Sequence, residues 1–249
     1  AALPPDRQGE VCHRYILGVY SLYERLTSEF PRVLFESCAS GGGRFDPGML
    51  YYAPQCWTSD DSDAAERLKI QYGTSFCYPV SSMGAHVSAV PNHQVNRVTP
   101  LYTRANVAFF GAFGYELDLG RLTEEERSQV REQIAFMKEY REVLQFGDFY
   151  RLLSPFEGNI TAWMVVSPDR RTALAGWYRT LNEVNGPFRR MKLRGLDPAL
   201  DYTVNGCSVH GGDELMEVGL LTTDSAAGEC QAGERPSCDF DSRVYVLQA

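Results

Sequence analysis

Long apolar runs are missing from this sequence. None reaches the roughly 18 residues that a membrane-spanning helix needs, so no membrane association is indicated. Positive charge is in short supply: 24 basic against 32 acidic residues give a net charge of −8. No basic stripe is present to neutralise phosphates, which argues against a nucleic-acid partner. Histidine is scarce, and His13, His86, His93 and His210 show neither HExxH nor HxH spacing, so neither a metal site nor a cofactor is expected. The seven cysteines form no CxxC pair, which argues against a zinc ribbon. Cys12, Cys38, Cys56 and Cys77 fall in periodic segments and read as reduced core thiols, Cys230 and Cys238 could pair, and a reducing cytoplasm is the expected compartment. The opening residues, from Ala1 to Arg7, have no initiator Met and no basic stretch followed by an apolar one. They are not a signal peptide and read as the interior of a longer chain.

What is present is a core-forming composition, 44% hydrophobic and 12% aromatic over 249 residues, enough for one large or two modest domains. Residues 8–30 have helical periodicity through Val11, Tyr15, Leu17, Val19, Leu22 and Leu26. A short strand is expected over 32–38, a glycine break at Gly41-Gly42-Gly43, a short helical stretch at 49–51 and a second strand over 55–58. A helix over 63–72, a third strand over 74–80 and a fourth over 106–110 follow. A long amphipathic helix over 123–143 opens with the capping-box pair Thr123 and Glu126. Alternating strand and helix is the signature of parallel β/α units. Four such units make half of an eight-stranded barrel or most of a doubly wound sheet. The second would usually carry a GxGxxG or GxxxxGK phosphate loop, and the Gly41 loop matches neither. Beyond Asp148 the pattern changes to short β-prone runs, at 161–166, 172–178, 189–193, 202–204 and 243–247. Turn signals such as Ser167-Pro168-Asp169 and Asn205-Gly206 separate them. A small antiparallel β-sandwich is expected there, with a long loop over 219–236.

Three segments could carry chemistry. The first is the glycine loop, where backbone N–H groups can approach a ligand, with Arg44 and Asp46 placed to form an ion pair. The second is Trp57-Thr58-Ser59-Asp60-Asp61-Ser62-Asp63, three carboxylates within four residues at a strand end. Two carboxylates held close raise one pKa, which keeps a general acid protonated, and Trp57 offers a flat apolar wall for a sugar ring. An acidic helix cap explains the same triplet. The third is a loop over 81–88, in which His86 could bond a ligand hydroxyl or simply satisfy backbone groups.

These residues together resemble glycoside hydrolase family 36, the microbial α-galactosidases. The likeness rests on Cys38-Ala39-Ser40-Gly41-Gly42-Gly43-Arg44-Phe45-Asp46-Pro47-Gly48 and Trp57-Thr58-Ser59-Asp60. It extends to the 81–88 segment, to Pro91-Asn92-His93-Gln94 and to Leu153-Ser154-Pro155-Phe156-Glu157-Gly158-Asn159. The resemblance implies a retaining enzyme that releases terminal α-galactose from melibiose, raffinose and related oligosaccharides. It implies the second half of a (β/α)8 TIM barrel over 1–147, followed by a small C-terminal antiparallel β-sandwich over 148–249. Asp60 matches the general acid/base. Cys38, Gly41 and Trp57 match positions lining the galactose pocket, with Ser40 beside them, and Asp61 and Asp63 are left as support or cap. The family's nucleophile, in a Lys-Trp-Asp-x-Asn-Arg motif, has no counterpart here and is expected upstream of Ala1. The intact enzyme is expected to be a homo-oligomer, and the 249 residues alone to be inactive. An α-N-acetylgalactosaminidase or transglycosylase on the same scaffold, or a non-catalytic sugar-binding module, are the alternatives.

Overall fold

The structure, a computed structural model, describes residues 3–41, 43–184, 189–222 and 238–249. Two compact units follow one another along the chain, Ala1–Asp60 and Asp61–Ala249.

The first unit contains α1 (Glu10–Glu29), β1 (Glu36–Ser37), α2 (Pro47–Tyr52) and β2 (Gln55–Cys56). α1 occupies the span expected from its apolar spacing and stops at Phe30, whose N–H reaches the Leu26 carbonyl at 2.8 Å. Pro31 follows, and a residue before proline is pushed out of the α region. α2 starts cleanly because Pro47 pre-sets its first turn and Asp46 caps it, accepting from Met49 N–H at 2.9 Å. Tyr52 of α2 packs against Tyr20 and Tyr23 of α1, with centroids 5.9 and 6.3 Å apart. β1 and β2 pair in parallel, Glu36 opposite Gln55 and Ser37 opposite Cys56. The strand expected over 32–38 is thus much shorter, and Leu34 is 88% exposed.

The second unit opens with α3 (Ala64–Thr74), β3 (Gly84–Ser88), α4 (Leu101–Ala108), β4 (Ala112–Glu116) and α5 (Glu124–Phe146). β3 and β4 are parallel neighbours, in register from Gly84–Ala112 to Ser88–Glu116, with α4 as the crossover. Two expectations fail here. Residues 74–80 are no strand: they leave α3 through turns in which the Ser75, Cys77 and Tyr78 N–H groups bond Gln71 and Thr74 carbonyls. Residues 106–110 are no strand either, but the end of α4 and the turn after it. Val107 and Ala108 are buried at the end of α4 and Phe110 in the turn after it, and a short apolar run reads alike for a buried helix and a buried strand.

The remainder is β5 (Asp148–Leu153), β6 (Ile160–Val166), β7 (Thr172–Arg179), β8 (Arg190–Met191), β9 (Asp201–Val204), β10 (Ser208–Gly211), α6 (Gly212–Glu217), β11 (Leu220–Leu221) and β12 (Asp241–Gln248). Six of these strands form one antiparallel sheet in the order β10-β9-β12-β7-β6-β5. Alternate residues serve two cores. Trp163, Val165, Leu174 and Tyr178 join Phe110, Val130, Met137 and Leu144 from the α4 and α5 side. Ala162, Met164, Ala173, Ala175 and Trp177 join Met191, Leu215 and Leu220 from β8, α6 and β11. Both faces being covered, β6 and β7 read as unbroken apolar runs rather than alternating ones. The expected antiparallel β domain is present. Most of the loop expected over 219–236 lies outside the described residues, as does Cys230 and hence its pairing with Cys238. Among the described residues no helix is long and apolar enough to cross a membrane.

Candidate active site

Parallel pairing sends the segments after β1 and β2 out of the same end of the strand pair, so the first unit brings the glycine loop and the Trp57–Asp60 run together. The Trp57 N–H donates to the Ser37 carbonyl at 2.9 Å. Gly41 has φ +73°, and a Cβ added to it would lie 2.7 Å from Ser59 Cα and 3.1 Å from the Thr58 carbonyl oxygen. No side chain fits that gap, so only glycine lets the first loop rest on the backbone that leads into Asp60. Ser40 also has positive φ, at 50°, which turns its exposed side chain outward beside Gly41.

Each predicted site residue can now be placed. Cys38 is exposed just beyond β1 and Trp57 is 9% exposed just beyond β2. Gly41 is buried, while Ser40 and Asp60 are exposed. The Asp60 carboxylate makes no hydrogen bond among the described residues, and it follows the strand end by four positions. The arrangement is a free carboxylate beside an indole, a thiol, a hydroxyl and a glycine turn. That is a set able to donate and accept at several oxygens of one small polar ligand.

The loop is braced in a way the sequence did not reveal. Arg44 and Asp46 do not pair. Arg44 instead donates from Nη2 to the Cys38 carbonyl at 2.9 Å and from Nη1 to the Tyr15 hydroxyl at 3.2 Å. Asp46 caps α2 and accepts the Tyr20 hydroxyl proton at 2.7 Å. Tyr15 and Tyr20 of α1 thus act on the loop from a helix whose spacing signalled only packing. Cys56 alone of the four expected core thiols is buried; Cys12, Cys38 and Cys77 are exposed. Burial pushes the Cys56 thiol pKa up, which suits an inert packing role.

Asp61 and Asp63 begin the second unit and serve structure. Asp63 is the N-cap of α3, accepting from Ala65 and Glu66 N–H at 3.1 Å each. It also pairs with Arg97, and its side chain is 1% exposed. Asp61 Oδ1 accepts the Asp63 N–H at 3.0 Å. Ser62 is fixed between them: its carbonyl accepts from Ser88 Oγ at 2.9 Å and its hydroxyl from Asn92 at 3.3 Å. The Pro91-Asn92-His93-Gln94 motif therefore helps to hold the segment that follows Asp60. The segment expected as a third loop is mostly β3. His86 sits in it with Nδ1 3.5 Å from Glu116 of β4, a cross-strand contact within the parallel pair.

A carboxylate and a glycine turn at the ends of parallel β/α strands, with an antiparallel β domain after them, define the class: the chain belongs to the melibiase family of glycosyl hydrolases. The Melibiase family model matches residues 1–147, and the glycosyl hydrolase family 36 C-terminal domain matches 160–247. Alpha-galactosidase AgaA of Geobacillus stearothermophilus is 60% identical over 249 residues, covering 100% of this chain and 33% of that protein. Alpha-galactosidase Mel36A of Lactobacillus acidophilus is 48% identical, covering 99% and 32%. The solved structure of AgaA in complex with raffinose superposes with a TM-score of 0.91 at 55% identity, covering 100% of this chain and 33% of that one. An alpha-galactosidase from Lactobacillus brevis gives 0.91 at 52%, with the same coverage. The chain spans about a third of the length of the relatives it matches. The fold class is the second half of a (β/α)8 barrel followed by a small antiparallel β domain.

Proposed function

We propose that the protein to which these 249 residues belong is an α-galactosidase that hydrolyses terminal α-galactosyl residues of oligosaccharides such as raffinose and melibiose with retention. The observation that carries this is the seat of the Gly41 turn on the Thr58–Ser59 backbone, which joins the matched pocket residues to the matched acid. Asp60 protonates the glycosidic oxygen as its bond to the anomeric carbon breaks. It then removes a proton from the water that attacks the galactosyl–enzyme ester, releasing galactose and regenerating both carboxyl groups. The ester forms on a second carboxylate about 5 Å from the first, as retention requires, supplied from outside these 249 residues. Cys38, Ser40 and the Gly41 backbone address galactose hydroxyls, and Trp57 walls the ring. The catalytic part ends at residue 147, where Gly147 terminates α5, and the β domain runs over 148–249. The complete enzyme is a cytoplasmic homo-oligomer.

Kinetics of full-length Asp60→Asn test the assignment. Turnover of melibiose should fall by a factor of at least about 10². An aryl galactoside with a good leaving group should lose less in the glycosylation step, because it needs little protonation. Undiminished melibiose turnover would overturn the role of Asp60. Raffinose and N-acetylgalactosaminide product analysis separates the activity from its same-scaffold alternatives.

A further inference from the structure

The paired residues of β1 end at Ser37, and Cys38 follows directly. Three consecutive carbonyls at the base of the glycine loop are each engaged, but not alike. That of Ser37 accepts the Trp57 N–H at 2.9 Å, and that of Ala39 accepts the Gly43 N–H at 3.3 Å. The middle one, on Cys38, accepts from a side chain, Arg44 Nη2 at 2.9 Å. Fixing this carbonyl fixes the planar Cys38–Ala39 peptide, and so the direction in which the Cys38 side chain leaves the backbone.

The Arg44 guanidinium is not half of an ion pair. Among the described residues it meets no carboxylate, since Asp46 is taken by Tyr20 and by the α2 cap. Its Nε is buried without an acceptor, so the head is held by its two terminal nitrogens, Nη2 on Cys38 and Nη1 on the Tyr15 hydroxyl at 3.2 Å. One planar fork therefore spans two neutral acceptors, one on the loop and one on α1. A lysine ammonium, a point charge on a flexible stem, cannot reproduce that span. α1 thus fixes the loop at both ends, through Tyr15 and Arg44 at Cys38 and through Tyr20 at Asp46.

We propose that Arg44 and Tyr15 are positioning residues for galactose recognition, acting through Cys38. The Tyr15 hydroxyl sets the Arg44 fork, and the fork sets the Cys38 peptide so that the thiol meets the sugar. The proposal rests on the reading of Cys38 as a galactose contact. Free galactose, used as a competitive inhibitor of the full-length enzyme, tests it, because galactose carries no leaving group and reports the sugar side of the site alone. Arg44→Lys keeps the charge and loses one arm of the fork, and should raise the inhibition constant about tenfold. Tyr15→Phe should raise it about threefold. Tyr15 is 56% exposed, so its substitution disturbs folding little and covers the case of a poorly folded Arg44 variant. In the Cys38→Ala enzyme, Arg44→Lys should shift the constant by less than about twofold, since residues that act through one another are not additive. Melibiose and an aryl galactoside should lose kcat/KM by the same factor in each variant, unlike the loss at Asp60, which depends on the leaving group. A merely structural role predicts a smaller active fraction, seen as lowered kcat with unchanged galactose inhibition. That result, a full-sized Arg44→Lys effect in the Cys38→Ala enzyme, or a loss that depends on the leaving group would each overturn the proposal. Unchanged galactose inhibition in Cys38→Ala strikes the reading of Cys38 and takes the proposal with it, whereas an effect of Cys38→Ala with none of Arg44→Lys overturns the proposal alone.

Discussion

Among single residues, Gly41 bears most directly on the site. Gly41→Ala meets both an unfavourable φ and a 2.7 Å approach to Ser59 Cα, so the two loops must move apart. A cost of about 1–3 kcal/mol in stability is expected. A displacement of an ångström at Asp60 can lower kcat/KM of the intact enzyme by about 10². Thermal melts beside kinetics check both, and a fully active, equally stable Ala variant would show that the loop contact does not position the acid. Asp63 makes the opposite case, a carboxylate of the same triplet with no chemical role. Asp63→Ala removes a helix cap and a buried partner of Arg97, and should cost on the order of 3 kcal/mol. Asp63→Asn keeps the cap and should cost less, which urea titration of the pair resolves. At this scale the sequence was legible where a residue's role is local. The Asp63 cap could be read from its neighbours in the chain. Arg44 could not, because its partners are the Cys38 carbonyl and Tyr15, 29 positions away, rather than the nearby Asp46.

The elements were legible in proportion to their length and their punctuation. α5 announced itself by period and by its capping box, and both reciprocal hydrogen bonds are present, Glu126 N–H to Thr123 Oγ1 at 3.2 Å and Thr123 N–H to Glu126 Oε2 at 2.8 Å. Thr123→Ala should lower stability by about 1 kcal/mol, read as a shifted denaturation midpoint with unchanged slope. β3 and β4 escaped notice because Gly84, Ala85, Ser88, Ala112 and Gly114 are weak strand formers, small where the backbones run close. A Cβ on Gly114 would come within 3.0 Å of the His86 ring. The stronger apolar signals beside them, at 74–80 and 106–110, belong to turns and a buried helix. The β-prone runs expected at 161–166, 172–178 and 243–247 coincide with β6, β7 and β12, where tryptophan, tyrosine and branched residues are frequent.

For the molecule as a whole, alkaline stability follows from its buried phenols. Burial raises the pKa of Tyr115 and Tyr178, and that of Tyr140 is pushed up to about 12. The folded chain keeps these protons where the unfolded chain has lost them. Their contribution is therefore complete below about pH 10 and declines as pH rises above it. Arg67, pushed down to about 10 by burial, and Arg104, also lowered by burial, act in the reverse sense. Phenolate absorbance should show a class of tyrosines that ionises only as circular dichroism is lost; full ionisation with the fold retained would contradict this. Residues 1–249 expressed alone should show no glycosidase activity and should aggregate through unpaired strand edges, measured by aryl-galactoside assay and light scattering. Robust turnover would mean that the second carboxylate lies within the chain. A last consequence belongs to β12, which lies between β7 and β9 although it comes last in the sequence. On the ribosome, β5, β6 and β7 emerge as a meander well before residue 241 exists, and β7 waits with one edge bare. The sheet cannot zip from one side to the other. It must hold a slot for its middle strand until residues 241–248 have been made, and a nascent chain stalled in that interval is the form most exposed to wrong partners.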